Sequence, residues 1–223
     1  MSKFFISRQI DPSSAFAQQL AGRGIELFAK SLIDIRAKSF GAISEDVTWL
    51  FFYSANGVRY FKAGGGSFAG VKTAVLGKAG ARAMMPMMPD FVGDGEPIGV
   101  AATFAAQLIP TDMVVFVQAT HSQSSVQKRL PNDIKTNILE VYDNVPNLAT
   151  AATIPICNYL LFTSPMNVTT YIRAKGPFLP QQRIFAIGQT TAAALADCGA
   201  KDIIVAPEPD IESLGEWLMD KMP

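Results

Sequence analysis

Short, solidly apolar runs recur along the chain, each followed by a stretch whose apolar positions return with helical spacing. Lys3 to Ser7, Ile25 to Ala29, Trp49 to Tyr53, Thr73 to Leu76, Met113 to Val117 and Ile134 to Leu139 read as strands; so do the run ending at Thr163, Ile184 to Ile187 and Ile203 to Val205. Helical patterns fall at 56–62, 79–85, 97–108, 122–130 and 189–198, the last closed by Gly199. A first helix is expected from the cap Asp11 and the first-turn Pro12 to about Ala21, before Gly22 and Gly24. Another follows Ser164, and the last is opened by Asp210. Strands alternating with helices predict parallel sheets with right-handed crossovers. Two stretches depart from this rule by alternating apolar and polar residues, Ser31 to Arg36 and Asn137 to Tyr142. In the second, Ile138, Glu140 and Tyr142 share one face and Leu139 and Val141 the other. Both read as half-exposed connector strands, one leaving a domain and one returning.

The pattern repeats. Phe51 to Val58 and Leu161 to Val168 each run from apolar and aromatic residues into a Ser (Ser54, Ser164), then an Asn, then a helix that the Ser can cap. Downstream, Val71 to Leu76 ends at Gly77 as Ile184 to Ile187 ends at Gly188. Upstream, Phe4 to Arg8 corresponds to Val114 to Gln118, which makes an internal repeat of about half the chain. The expected fold is α/β: two doubly wound parallel-sheet domains, the second inserted in the first and joined to it by a two-stranded β connector. Domain one comprises 1–30 and 146–223, the connector 31–38 and 138–145, and the inserted domain 39–137.

Composition narrows the function. The 223 residues carry no formal net charge and only 17% charged residues, which argues against a nucleic-acid surface or a basic membrane patch. Cys157 and Cys198, without a CxxC, support neither a disulfide scaffold nor a zinc site and suit a reduced cytoplasm. No apolar stretch reaches the roughly 18 residues of a membrane span. Gly64-Gly65-Gly66 lacks a preceding strand and a GK[ST] ending, Gly93 to Pro97 reads as a turn and helix start, and Met84 to Pro89 as an irregular, adaptable apolar surface. His121 is the single histidine and has no GxSxG partner. In open parallel sheets, ligands collect beyond the carboxyl ends of strands. Here those loops are Arg8 to Asp11, Ser54 to Asn56, Gly77 to Gly80, Gln118 to Ser122, Ser164 to Asn167 and Gly188 to Thr191, expected to face one another across a cleft. Their helix N-termini favour carboxylates or phosphates. Tyr142, on the returning connector, is the ionisable group of most interest.

With Phe5-Ile6-Ser7-Arg8, the doubled corners Phe52 to Val58 and Leu161 to Pro165, the turn Ala186 to Leu195 and Glu140-Val141-Tyr142 in this order and spacing, the chain resembles uroporphyrinogen-III synthases over essentially its whole length. The resemblance implies two α/β domains tied by a two-stranded ladder. It also implies closure of hydroxymethylbilane, a linear tetrapyrrole polycarboxylate, to uroporphyrinogen III with inversion of ring D and loss of water, using no cofactor and no metal. Tyr142 matches the family tyrosine proposed to assist departure of the hydroxyl, and Thr191 the threonine of the Gly-x-x-Thr turn, a carboxylate donor. Ser54, Ser164 and Gly188 are expected to hold other carboxylates, with Arg8, Gln118 and Thr190 in the same loops. The equivalent turn Gly77-Lys78-Ala79-Gly80 lacks the family threonine, and Lys78 or backbone amides are expected to replace it. A monomer is expected, in transient contact with hydroxymethylbilane synthase. The rival readings are a cleft-forming ligand-binding or tetrapyrrole-carrier protein, which needs no Tyr142, and a nucleotide-using enzyme, which lacks its phosphate loop.

Overall fold

A computed structural model describes residues 1–208 and 211–222. The first elements are β1 (Lys3–Ile6), α1 (Ala15–Gly22), β2 (Glu26–Ala29), β3 (Ile33–Ala37), β4 (Trp49–Phe52), α2 (Ala55–Ala63), β5 (Lys72–Val75), α3 (Lys78–Met84), β6 (Phe91–Val92) and α4 (Pro97–Ala105). They are followed by β7 (Met113–Ala119), a 3-10 turn at Gln127–Arg129, β8 (Lys135–Pro146), α5 (Leu148–Thr153), β9 (Tyr159–Phe162), α6 (Pro165–Lys175), β10 (Arg183–Ala186), α7 (Gln189–Asp197), β11 (Ile204–Val205) and α8 (Ile211–Lys221). Contacts divide the chain into a unit formed by Met1–Asp34 with Val145–Pro223 and a unit formed by Ile35–Asn144.

The discontinuous unit holds a five-stranded sheet in the order β11-β10-β9-β1-β2, all neighbours parallel. The order in which strands are added across the sheet reverses between β1 and β9, because the chain steps outward to β2 and later resumes on the other side of β1. The continuous unit holds the order β3-β8-β7-β4-β5-β6, with β4 to β8 mutually parallel where adjacent. Its reversal lies between β4 and β7. Both are doubly wound sheets, whose reversal points open crevices at the strands' carboxyl ends.

Strands covered by helices on both faces are apolar at every position, as the fully buried β4 and β9 show. Alternate side chains feed separate cores. Phe4 and Ile6 pack with Leu161, Phe185 and Leu218, while Phe5 packs with Leu160, Phe162 and Tyr171 on the other face. In the continuous unit Leu50 and Phe52 join Phe61 and Val117, and Trp49 and Phe51 join Phe104 and Phe116.

Several elements differ from the sequence reading. Helix α1 starts at Ala15 under the cap Ser14, because Asp11 Oδ1 accepts from Ser13 N (2.8 Å) and Ser13 Oγ (2.7 Å) and so closes a local turn. The helix expected at 122–130 shrinks to the turn Gln127–Arg129. Ser124 sits in the left-handed region (φ 52°) with its hydroxyl bonded to Gln118, and Tyr53 Oη takes the N–H groups of Val126 (3.1 Å) and Gln127 (2.9 Å). These side-chain bonds replace a helical ladder. The strand expected at Ile134 to Leu139 and the connector after it are one continuous strand, β8, paired with β7 from Lys135 to Tyr142. The short α5, capped by Asn147, and the two-residue β6 carry too few periodic positions to announce themselves. Of the methionine run, Met84 is fully buried whereas Met85 and Met88 are 65% and 82% exposed. Asp210, the expected opening of the last helix, lies outside the described residues.

Candidate active site

At the carboxyl end of β4, Ser54 leaves the sheet in extended conformation and caps α2, its Oγ accepting from Gly57 N at 3.0 Å. The same Oγ lies 3.0 Å from the Tyr142 hydroxyl. Strict alternation along β8 places Tyr142 opposite Val141; the structure does otherwise. The pairing of β8 with β7 slips after Gln118–Glu140, so that Ala119 opposes Tyr142 and Val141 becomes the extra residue of a bulge. Leu139, Val141 and Tyr142 then pack on one core with Val117 and Ala119. Tyr142 is 7% exposed, and its ring stacks on Tyr60 at 5.4 Å and 25°. The bulge thus turns the phenol from the Glu140 face toward Ser54.

Glu140 stays on the other face. The Lys38 ammonium donates to its carboxylate at 2.5 Å and to Thr120 Oγ1 at 3.0 Å. That hydrogen bond, foremost, holds the Glu140 carboxyl below its usual range against the opposing effect of desolvation, with a smaller contribution from the nearby, exposed His121. Gln118 is 3% exposed and donates its amide N–H to Ser124 Oγ at 3.1 Å, which anchors the loop after β7. Lys78, exposed, is the first residue of α3, whose N-cap Gly77 offers no side-chain bond. At Gly80, where the resemblance implied a threonine, a Cβ would stand 3.0 Å from Val75 Cβ.

The discontinuous unit repeats this corner. Ser164 caps α6 with nearly the backbone angles of Ser54 (φ −163°, ψ 155° against φ −153°, ψ 161°), and its Oγ accepts from Asn167 N at 3.4 Å. Its second partner is Asn167 Nδ2 at 2.9 Å, where the other unit has Gly57 and the tyrosine. Buried Asn167 also accepts from Leu32 N at 2.8 Å. At the reversal between β1 and β9, Ser7 and Thr163 interlock, Thr163 N donating to Ser7 Oγ at 2.8 Å and Thr163 Oγ1 to Ser7 O at 3.1 Å. Arg8, beyond them, is exposed. Gly188 opens α7 without a side-chain cap, and a Cβ there would meet nothing within 4 Å. Thr190 is exposed and Thr191 is 3% exposed, its N–H closing the first turn on Gly188 O at 3.1 Å.

Of the residues singled out from sequence, the structure joins Ser54 to Tyr142 directly and gathers Gly188, Thr190 and Thr191 on one helix turn. It commits Gln118 to a structural pair. Tyr60 and the Ser7–Thr163 pair were not foreseen as site residues, and Asn167, placed in a ligand loop, was not foreseen as the second partner of Ser164. Asn167 carried a signal, standing three residues after a capping Ser, whereas Tyr60 is one more aromatic on a helix face.

The model of the family described as HEM4, uroporphyrinogen-III synthase HemD, matches residues 14–216. No curated protein matches the chain. Among solved structures, uroporphyrinogen-III synthetase from Helicobacter pylori 26695 superposes with a TM-score of 0.74 at 18% identity, covering 99% of this chain and 100% of that one. A mutant uroporphyrinogen III synthase from the extreme thermophile Thermus thermophilus gives 0.60 at 16% identity, covering 99% and 98%. These likenesses establish a shared fold. Because the family model spans nearly the whole sequence, the chain belongs to the uroporphyrinogen-III synthase family.

Proposed function

We propose that this enzyme closes hydroxymethylbilane to uroporphyrinogen III, inverting ring D and expelling water, and so acts as a lyase in tetrapyrrole biosynthesis. The observation that carries the reading is the family match over residues 14–216; the Ser54–Tyr142 pair at a strand-reversal point supports the choice of catalytic group. Tyr142 donates a proton to the departing hydroxyl, the C–O bond breaks, and water departs to leave an azafulvenium cation. Ring D attacks it through its substituted carbon to give a spiro intermediate, whose fragmentation and reclosure invert the ring. The substrate closes unaided to the wrong isomer, so the enzyme needs only a modest bias, and a hundredfold preference requires about 2.7 kcal/mol of differential barrier. Placement and a few preorganised donors suffice for that.

The substrate's carboxylates are taken by the open N-terminus of α7, through the amides after Gly188 and the hydroxyls of Thr190 and Thr191, by Ser164, and by the exposed cations Arg8 and Lys78. Gln118 shapes the loop that follows β7, since its amide already serves Ser124. The lability of the substrate fits a cytoplasmic monomer in transient contact with hydroxymethylbilane synthase. Among the described residues no helix is long and apolar enough to cross a membrane.

The test generates hydroxymethylbilane in situ, oxidises the products and separates uroporphyrin isomers. Isomer III is expected with the protein and isomer I without it. Isomer I in both, with the protein folded, overturns the reading.

A further inference from the structure

We infer that Ser54 and Tyr60 position the Tyr142 phenol, so that Ser54 acts on the reaction through Tyr142 instead of holding a substrate carboxylate; the inference rests on the synthase reading above. A serine hydroxyl has one proton and two lone pairs. One lone pair of Ser54 takes the Gly57 N–H, and the tyrosine hydroxyl, 3.0 Å away, takes the next bond. Ser164 serves as an internal control. It has the same conformation and the same amide bond three residues on, yet its second partner is Asn167 of its own helix. A side chain at 57 would bring its Cβ within 3.3 Å of Val117 O. Glycine there keeps the second bond of Ser54 free, and the β8 bulge delivers Tyr142 to it.

Tyr60 fixes the remaining freedom of the ring. Its stack on Tyr142 restricts rotation, and its own hydroxyl donates to Ile35 O at 3.4 Å. The Ser54–Tyr142 bond runs in the productive direction when Ser54 donates, leaving the tyrosine proton for the substrate. When that proton departs with the hydroxyl as water, the phenolate accepts the Ser54 O–H at the amino end of α2, where free N–H groups favour negative charge. The proton lost when the last pyrrole regains aromaticity returns to Tyr142, and the cycle balances.

A double-mutant cycle tests this, reading the initial rate of isomer III formation at a temperature well below each variant's melting midpoint. Ser54→Ala and Tyr60→Leu are each expected to lower the rate about tenfold in the otherwise unaltered enzyme and less than about twofold in a Tyr142→Phe background, since groups acting through one residue are not additive. Ser54→Thr, which keeps the hydroxyl and the cap, is expected to restore most of the rate. Equal losses in both backgrounds would show that Ser54 acts as a cap or on the substrate itself, and would overturn the inference. A full rate for Tyr142→Phe would overturn it together with the tyrosine's role. Absence of isomer III from the unaltered enzyme would sink the proposed function instead.

Discussion

Tyr142 concentrates what one residue contributes. Its hydroxyl is the group that the Ser54 corner, the bulge and the Tyr60 ring converge on. Tyr142→Phe keeps the stack and removes the proton; turnover to isomer III is expected to fall roughly 10- to 100-fold, at the lower end of what a general acid contributes. Unchanged turnover in the isomer assay would remove Tyr142 from the mechanism. Gly80 gives the complementary case. There the helix turn rests close on Val75, whose Cβ would lie 3.0 Å from a Cβ at position 80. Gly80→Thr is therefore expected to destabilise by about 1–3 kcal/mol through overpacking, measured by urea unfolding. A neutral result would mean that α3 can slide away from β5.

At the scale of elements, the two capping serines show how similar sequence yields different roles. Ser54 and Ser164 stand at equivalent strand-to-helix corners, but Asn167 binds its serine while also accepting from Leu32 N. That bond fixes the chain just after β2, where it leaves one sheet for β3. Asn167→Leu keeps the branched outline of the side chain and leaves a buried N–H without its acceptor, so a loss of about 1–3 kcal/mol is expected, read from denaturant unfolding. Sequence reading located these corners because Ser caps and apolar runs are local signals. It missed the collapse of 122–130 for the opposite reason: the acceptor for Val126 and Gln127 is Tyr53, more than seventy positions away.

For the whole molecule, ionisation couples to folding through buried groups. Burial pushes the Cys157 thiol from 9.0 up to about 11 and raises the Tyr53 and Tyr171 phenols. A thiol raised in the folded state keeps its proton while the unfolded chain loses it. Stability is thus intact below about pH 9 and falls as pH rises toward 11, by at most about 1.4 kcal/mol per pH unit from this one group. Cys157→Ala is expected to flatten the decline between pH 9 and 10, read as denaturant midpoint against pH; an unchanged slope would assign the decline to other groups. Sequence alone determined the α/β class, the parallel strands, the repeated corners and the family resemblance, because apolar runs, caps and spacing are properties of neighbours along the chain. Tertiary structure decided which way Tyr142 faces, that Gln118 serves Ser124, and that Ser54 and Ser164 have different second partners. Each of these depends on a bulge or a hydrogen bond between strands and loops that meet only after folding, and a one-residue slip in strand pairing reverses every side chain beyond it.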